Sequence, residues 1–447
     1  MVLMDKDGKK IGLALSGGGY RAAAYHIGTL RALHKLGILD KVDVISSVSG
    51  GSIAAVYYAL YKDNFGKFEE TFKAKLKKGV LNTSWPLLAL FFIIIAVLVF
   101  GTPFFLAYCP MAPCCKLLTV FGVWIIFLIT FLDGQFLILP TSKLIQRQYD
   151  KHFFHGKRLA DLPKTPILTI NATEVTYNRI FSFSQTKVSG GEFKETLFKK
   201  NEIPLSFAVM ASSAFPGGIS PIMFPPEYMT ENRDDAHMPY LIDGGIYDNL
   251  GCHKFTEEKS SFKVTYSIVS LAENDKPVYK SYRNTLTLLR RVIDLALNRI
   301  DKLQEAKNMY ASDNSLQRNA YVVLKWNDDL SRIPLRFLQN AQNGNVPVEV
   351  MALHGFTEEE LKELKDLPKM DDKQKASEIF NQYRERVEEA ICWAELYDKR
   401  PDQDTIDRAY GVCTSLFGLR DSKIEALGAF SEWMTEVQCK LYLPNLL

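Results

Sequence analysis

The sequence predicts an α/β protein interrupted by a hydrophobic insertion, and three observations carry that reading. Twice near its start a short strand-like run passes through glycines into a helix: the apolar 11–16 into Gly17-Gly18-Gly19 and a helix from Tyr20, then the β-branched 42–48 into Ser49-Gly50-Gly51 and the apolar 53–60. Strand-like runs return at 167–173, 181–184, 262–272 and 320–326, separated by helical segments, the alternation expected of a layered α/β fold. Finally, residues 79–115 contain no charged side chain in a chain that is 23% charged overall.

The first strand, 11–16, is apolar enough to be buried on both faces. Its helix runs to about Leu36, where Gly37 supplies the stop. The triple glycine gathers several backbone N–H groups at a helix N-terminus with little steric cover, an arrangement that binds phosphate or an oxyanion. It lacks the Lys-Ser/Thr of a P-loop and the Gly-x-Gly-x-x-Gly spacing. With a serine one βα unit later, the oxyanion reading is favoured over phosphate binding or a plain turn. That serine, Ser49, stands between a strand and a helix among residues small enough for a tight turn, as in a nucleophile elbow. Ser47 occupies the place of the first glycine in Gly-x-Ser-x-Gly, a small residue that the turn tolerates sterically.

After a basic run at Lys73, Lys75, Lys77 and Lys78, residues 86–108 are almost wholly apolar, long enough for a helix to span a bilayer core. A second run, 117–132, is short unless it extends through Asp133 to Leu139. Basic residues flank the pair on its outer sides, with Lys143, Arg147 and Lys151 following it, so both ends are expected at the cytoplasmic face. The competing reading is a hairpin buried in the core, or one that enters without crossing.

Further on, a small-residue helix at 203–213 precedes Ala214-Phe215-Pro216, and a short strand ends at Asp243-Gly244-Gly245. A carboxylate there can face a site, although Asp-Gly-Gly turns are more often structural. His152 and His155 are spaced i, i+3 without accompanying ligands and read as surface residues; no metal and no cofactor are expected. A capping box, Thr357-x-x-Glu360, opens a helix. Phe380, Tyr383, Val387, Ile391 and Ala394 keep helical spacing, as do Leu427, Phe430, Met434, Val437 and Leu441, both read as core packing.

At 447 residues the length allows one to three domains, and a net charge of +3 is too small to imply a nucleic-acid partner. The odd count of seven cysteines fits reduced thiols better than a disulfide framework. The polar first ten residues carry no secretory signal pattern, so the sequons at Asn82 and Asn171 read as chance matches.

Taken in order, these pieces resemble the patatin-like phospholipase family. The resemblance rests on Gly17-Gly-Gly-Tyr-Arg21, His26-Ile-Gly28, Ser47-Val-Ser49-Gly-Gly51 and Asp243-Gly-Gly245. Leu159-Ala-Asp-Leu-Pro163, Ile170-Asn-Ala-Thr-Glu174 and Ala211-Ser-Ser-Ala-Phe-Pro216 are similar to the segments between them, and 414–441 resembles the end of bacterial members. It covers most of the chain except the hydrophobic hairpin and a charged stretch near 357–405. The resemblance implies a three-layer α/β/α patatin-like fold with an inserted hydrophobic helical hairpin. The catalytic core would span 8–275, interrupted by the hairpin at 85–139, and a mostly helical part, 276–447, would complete it. It further implies a Ser–Asp dyad with Ser49 as nucleophile and Asp243 as base. Backbone amides around Gly17, Gly18 and Gly19 would hold the oxyanion, and Arg21 would orient that loop or a lipid phosphate.

The expected function is a membrane-attached serine acyl hydrolase, without cofactor, acting on phospholipid or lysophospholipid at the cytoplasmic face. Two alternatives stay open: a membrane-anchored binding protein without turnover, and a Ser–Asp–His triad using His253 or His354.

Overall fold

A computed structural model describes residues 10–231, 238–256, 260, 262–274, 284–310, 318–326, 328–370 and 372–447. Among them, nine strands form one mixed sheet: β1 (Ile11–Leu15), β2 (Val44–Val48), β3 (Ile167–Glu174), β4 (Arg179–Phe183), β5 (Val188–Gly190), β6 (Ile222–Met223), β7 (Tyr240–Asp243), β8 (Tyr266–Leu271) and β9 (Arg318–Val323). They run in the order β5-β4-β3-β2-β1-β8-β9, parallel from β3 to β9 and antiparallel at β4 and β5. Helices cover both sides of the sheet. The expected α/β strands are all present. The run at 262–272 is strand only from Tyr266, and β9 ends at Val323, short of Trp326.

The sheet is buried on both faces because side chains alternate across it. Ile11, Leu13 and Leu15 of β1 enter the larger core, whereas Ala14 joins a smaller cluster with Leu250, Cys252 and Phe255. Gly12 lies where the Phe255 ring packs: a Cβ there would stand 2.9 Å from the ring. This is why the strands read as continuous apolar runs.

The helices before the insertion are α1 (Gly19–Lys35), α2 (Gly50–Tyr61) and α3 (Phe65–Lys78). Gly37, in the left-handed region at φ 65, ends α1 as expected, its N–H bonding His34 O at 3.1 Å while Ile38 N–H bonds Leu33 O at 2.9 Å. The hydrophobic runs form α4 (Val80–Ala107) and α5 (Pro113–Ile138), and α6 (Thr141–Tyr149) leads back into the sheet. Trp124 Nε1 donates to Val99 O at 3.1 Å and ties α4 to α5 as a hairpin. α5 does pass through Asp133, with a kink at Gly134. No described residue of the windows Ala89–Ala107 and Pro113–Phe131 is buried, so the hairpin is not part of the protein core; each window is long and apolar enough to cross a membrane.

Short helices α7 (Leu205–Ser212), α8 (Gly245–Asp248) and α9 (His253–Thr256) surround the end of β7. The C-terminal portion contributes α10 (Thr285–Tyr310), α11 (Ile333–Gln342), α12 (Val348–Leu353), α13 (Glu358–Asp366), α14 (Lys373–Ala390), α15 (Trp393–Asp398), α16 (Gln403–Tyr410) and α17 (Asp421–Tyr442). The capping box at α13 forms as predicted, with Glu360 N–H to Thr357 Oγ1 at 3.2 Å and Thr357 N–H to Glu360 Oε2 at 2.9 Å. The helical spacing from Phe380 to Ala394 is interrupted: Cys392 takes a left-handed φ of 54 and separates α14 from α15, although Tyr383, Val387 and Ile391 are buried. α17 buries Leu427, Phe430, Met434, Val437 and Leu441 and packs on α1. Contact between them is close at Gly28, where a Cβ would stand 1.9 Å from Gly428 O.

Candidate active site

The site is organised by one edge of β3. Asn171 pairs with Val48 of β2, and the next residue, Ala172, pairs with Asp243 of β7. Because β4 occupies the other edge over 170–174, β2 and β7 meet end to end on this one. Ser49 follows Val48 directly, so the register brings Ser49 and Asp243 together although 194 positions separate them.

Ser49 is the elbow the sequence predicts. Its backbone sits at φ 50, ψ −118, a conformation that side-chain-bearing residues rarely adopt and that costs roughly 1–3 kcal/mol. Two bonds hold it: its N–H donates to Ser212 Oγ at 2.8 Å, and its carbonyl accepts from Ser52 N–H at 2.9 Å. Ser212 in turn donates to Asn171 O at 2.6 Å. Ser47 is accommodated by polar contacts, donating from Oγ to Thr169 O at 3.1 Å and accepting from Ser52 Oγ at 3.1 Å. The serine in place of glycine thus becomes part of the network that fixes the turn.

Asp243 is buried, its carboxylate accepts from Gly245 N–H at 2.8 Å, and Ser49 is its neighbour across the β2–β7 junction. Burial pushes its pKa up to about 6, with the Gly245 amide and the Ser49 side chain pulling the other way. A carboxylate titrating there is ionised at neutral pH, yet basic enough to accept a proton from a serine hydroxyl. Among the described residues no imidazole acts on the Asp243 carboxylate. His354 is buried in the helical C-terminal portion, with Nε2 on Leu441 O at 2.8 Å and its ring against Phe337. His253 stands on α9 with its ring edge-on to Tyr247 and its N–H on Asp248 Oδ2 at 2.7 Å.

The glycine loop lies against the elbow. A Cβ on Gly50 would stand 2.0 Å from Gly19 O, and one on Gly17 would stand 3.4 Å from Ser49 Cβ. Only glycine at position 50 allows that approach. Gly18 and Gly19 have φ 134 and 58. Among the described residues, Gly17 N–H is already bonded to Asn249 O at 3.1 Å, while Gly18 and Gly19 N–H have no protein acceptor. The two open amides sit at the N-terminus of α1, whose dipole favours negative charge. Arg21 packs against this loop. It is buried, donates from Nη1 to Asn274 Oδ1 at 2.8 Å, and lies under Gly18 with Nη2 3.3 Å from where a Cβ would be. Burial lowers its pKa to about 10, so it stays charged.

His26 is also buried beneath the loop, between Ser16 O at 3.0 Å and Ser270 Oγ at 2.9 Å; burial lowers its pKa to about 4 and keeps it neutral. Tyr149, at the end of α6, is buried close to Ser213 and Asp243. Sequence reasoning had no signal for Tyr149, because it reaches the site from beyond the inserted hairpin. Ser212 was visible only as part of a motif, since its role depends on where α7 meets β3. Among the described residues no group of three or more His, Cys, Asp or Glu gathers as a metal site, and all seven cysteines are free thiols.

The patatin-like phospholipase family model matches residues 13–256, more than half of the chain and the whole of the Ser49–Asp243 arrangement. The chain belongs to the patatin-like phospholipase family. The match ends before the C-terminal portion, including the stretch 414–441 that resembles the end of bacterial members. Among solved structures, human GIVD cytosolic phospholipase A2 is similar at 14% identity over 60% of this chain, with a TM-score of 0.37; the chain spans 43% of that protein. VipD from Legionella pneumophila is similar at 14% identity over 97% of this chain and 94% of that one, with a TM-score of 0.32. No curated protein matches the chain. The family assignment rests on the sequence match alone.

Proposed function

We propose that this patatin-family protein is a membrane-attached serine acyl hydrolase of phospholipase A or lysophospholipase type, working through a Ser49–Asp243 dyad. The observation that carries the reading is the β3 register that sets Ser49 beside a buried Asp243 carboxylate, next to two backbone amides with no protein acceptor among the described residues. Ser49 Oγ attacks the ester carbonyl carbon as its proton passes to Asp243. The tetrahedral oxyanion is stabilised by Gly18 and Gly19 N–H, while Gly17 N–H serves to hold the loop on Asn249. Collapse breaks the bond to the glycerol oxygen, which takes the proton from Asp243 and leaves. Water then attacks the acyl-serine, giving its proton to Asp243, and the fatty acid departs as that proton returns to Ser49.

Arg21 is assigned to shaping the loop rather than to a lipid phosphate, given its inward contacts. The catalytic unit is read as 8–275 without 85–139, completed by 276–447, which supplies β9 and α17. The exposed α4–α5 hairpin anchors this unit to a bilayer, and the basic residues outside both its ends place the unit on the cytoplasmic side.

A fluorophosphonate probe tests the reading against a binding protein without turnover. Wild type should take the label and release fatty acid from phosphatidylcholine vesicles. Ser49→Ala should do neither, with a loss of about 10⁴-fold or more in rate. Labelling or turnover retained in a purified Ser49→Ala protein removes Ser49 as the nucleophile.

A further inference from the structure

Helix α10 is apolar on two opposite faces. Ile293, Leu297 and Ile300 are partly buried, and Gln304, on the same line, donates from Nε2 to Tyr247 O at 3.3 Å. Tyr247 belongs to α8, which begins two residues after Asp243, so this face of α10 rests on the site. Leu288, Val292, Leu295 and Leu303 form the other stripe and are 48–53% exposed. Exposed Arg299 and Lys302 lie along it. A helix that packs one apolar face on the protein and leaves a second one open requires a further partner.

We infer that this second face of α10 docks on the surface of the lipid bilayer, placing the mouth of the Ser49–Asp243 site at the headgroup level. The inference rests on the membrane-attached reading above and adds to it a contact separate from the hairpin. A bilayer fits the stripe better than a second copy of the chain for three reasons. The α4–α5 hairpin, in which no described residue of Ala89–Ala107 or Pro113–Phe131 is buried, roots beside the same site: Val80 N–H at the start of α4 donates to Tyr20 OH at 3.2 Å, next to Gly19, and α6 ends at Tyr149 near Asp243. Further apolar groups are exposed at this end of the sheet, where Val175 N–H bonds Tyr240 O and Val175, Tyr177 and Tyr240 stand open beyond Glu174. Arginine and lysine on an apolar stripe suit a surface of phosphates over acyl chains, with their stems lying along it.

The test uses full-length protein in vesicles of phosphatidylcholine with phosphatidylglycerol. Val292→Cys, with Cys109, Cys114, Cys115, Cys392 and Cys413 changed to serine, carries an NBD label. The label should emit at shorter wavelength on vesicle-bound protein, be quenched by nitroxide lipids, and be shielded from aqueous iodide. In parallel, the combined variant Leu288→Ser, Val292→Ser, Leu295→Ser and Leu303→Ser should lose about tenfold in hydrolysis of vesicle phospholipid while retaining hydrolysis of a soluble short-chain ester. A label open to iodide overturns the inference. So does a label shielded from iodide but not reached by nitroxide lipid, which would indicate a protein partner. Failure of the protein to float with vesicles removes the membrane reading together with this one, whereas absence of ester hydrolysis strikes only the hydrolase reading.

Discussion

At the scale of single residues, Asp243 sets the pH behaviour. Its ionised form is the proposed base, and its pKa is raised to about 6 by burial. Activity on a soluble ester should therefore rise with pH through about 6 and level off above it, as a pH–rate profile of wild type will show. The same residue costs stability. A carboxylate whose folded pKa exceeds its unfolded value contributes stability that is present below the unfolded pKa, near 3.8, and lost as pH rises through the folded pKa. Asp243→Asn should thus be inactive yet more stable than wild type above pH 6, by up to roughly 3 kcal/mol, with the gap closing toward pH 4. Thermal melts of both proteins across that range measure it; an inactive mutant with no pH-dependent gain would mean that the carboxylate is not paying a burial penalty. His253→Ala and His354→Ala should keep ester hydrolysis, since neither ring stands between Ser49 and Asp243. A folded, dead histidine mutant would restore the triad.

At the scale of elements, α1 does two jobs, presenting Gly18 and Gly19 at one end and packing on α17 along its length. The packing depends on Gly28, where a methyl group would stand 1.9 Å from Gly428 O and 2.1 Å from Ser431 Oγ. Gly28→Ala should lower stability by about 3 kcal/mol, the upper range for overpacking. Gly66→Ala is the control, because a Cβ there meets only Asn64 Oδ1 at 3.7 Å and alanine favours the helix. Melting temperatures in detergent should fall for the first and hold or rise for the second. Equal behaviour of the two would show that α1 and α17 can separate without cost.

At the scale of the whole molecule, the hairpin is an insertion whose two roots return to the same place. α6, directly after it, packs on α7, and Thr141 and Ser142 bond Ser220. Replacing 85–139 with a short Gly/Ser linker should release the protein from the membrane fraction while preserving hydrolysis of a soluble ester. Burying such a run in lipid is favourable by about 0.8 kcal/mol per CH₂, so the intact chain should require detergent. Activity on phospholipid vesicles should fall far more than activity on the ester. A full-length protein soluble without detergent would count against the anchor, and a folded deletion that loses both activities equally would make the hairpin part of the site.

What the sequence determined by itself was local. The glycine loop, the elbow at Ser49, the strand ending at Asp243, the stop at Gly37 and the capping box at Thr357 were all legible. Each depends on a few neighbouring residues and on backbone geometry that those residues impose. The hairpin was legible as an apolar run for the same reason. Its exposure was not, because a buried and a membrane-facing helix have similar composition. Tertiary structure alone decided that Val48 and Asp243 face consecutive residues of β3, which is what brings Ser49 beside Asp243. It also decided that Gly17 N–H is taken by Asn249 while Gly18 and Gly19 stay open, and that Arg21 turns inward to Asn274. The break at Cys392 and the open face of α10 belong to the same class. Register and hydrogen-bond partnership join positions far apart in the chain, and such pairings leave no periodicity in a single sequence.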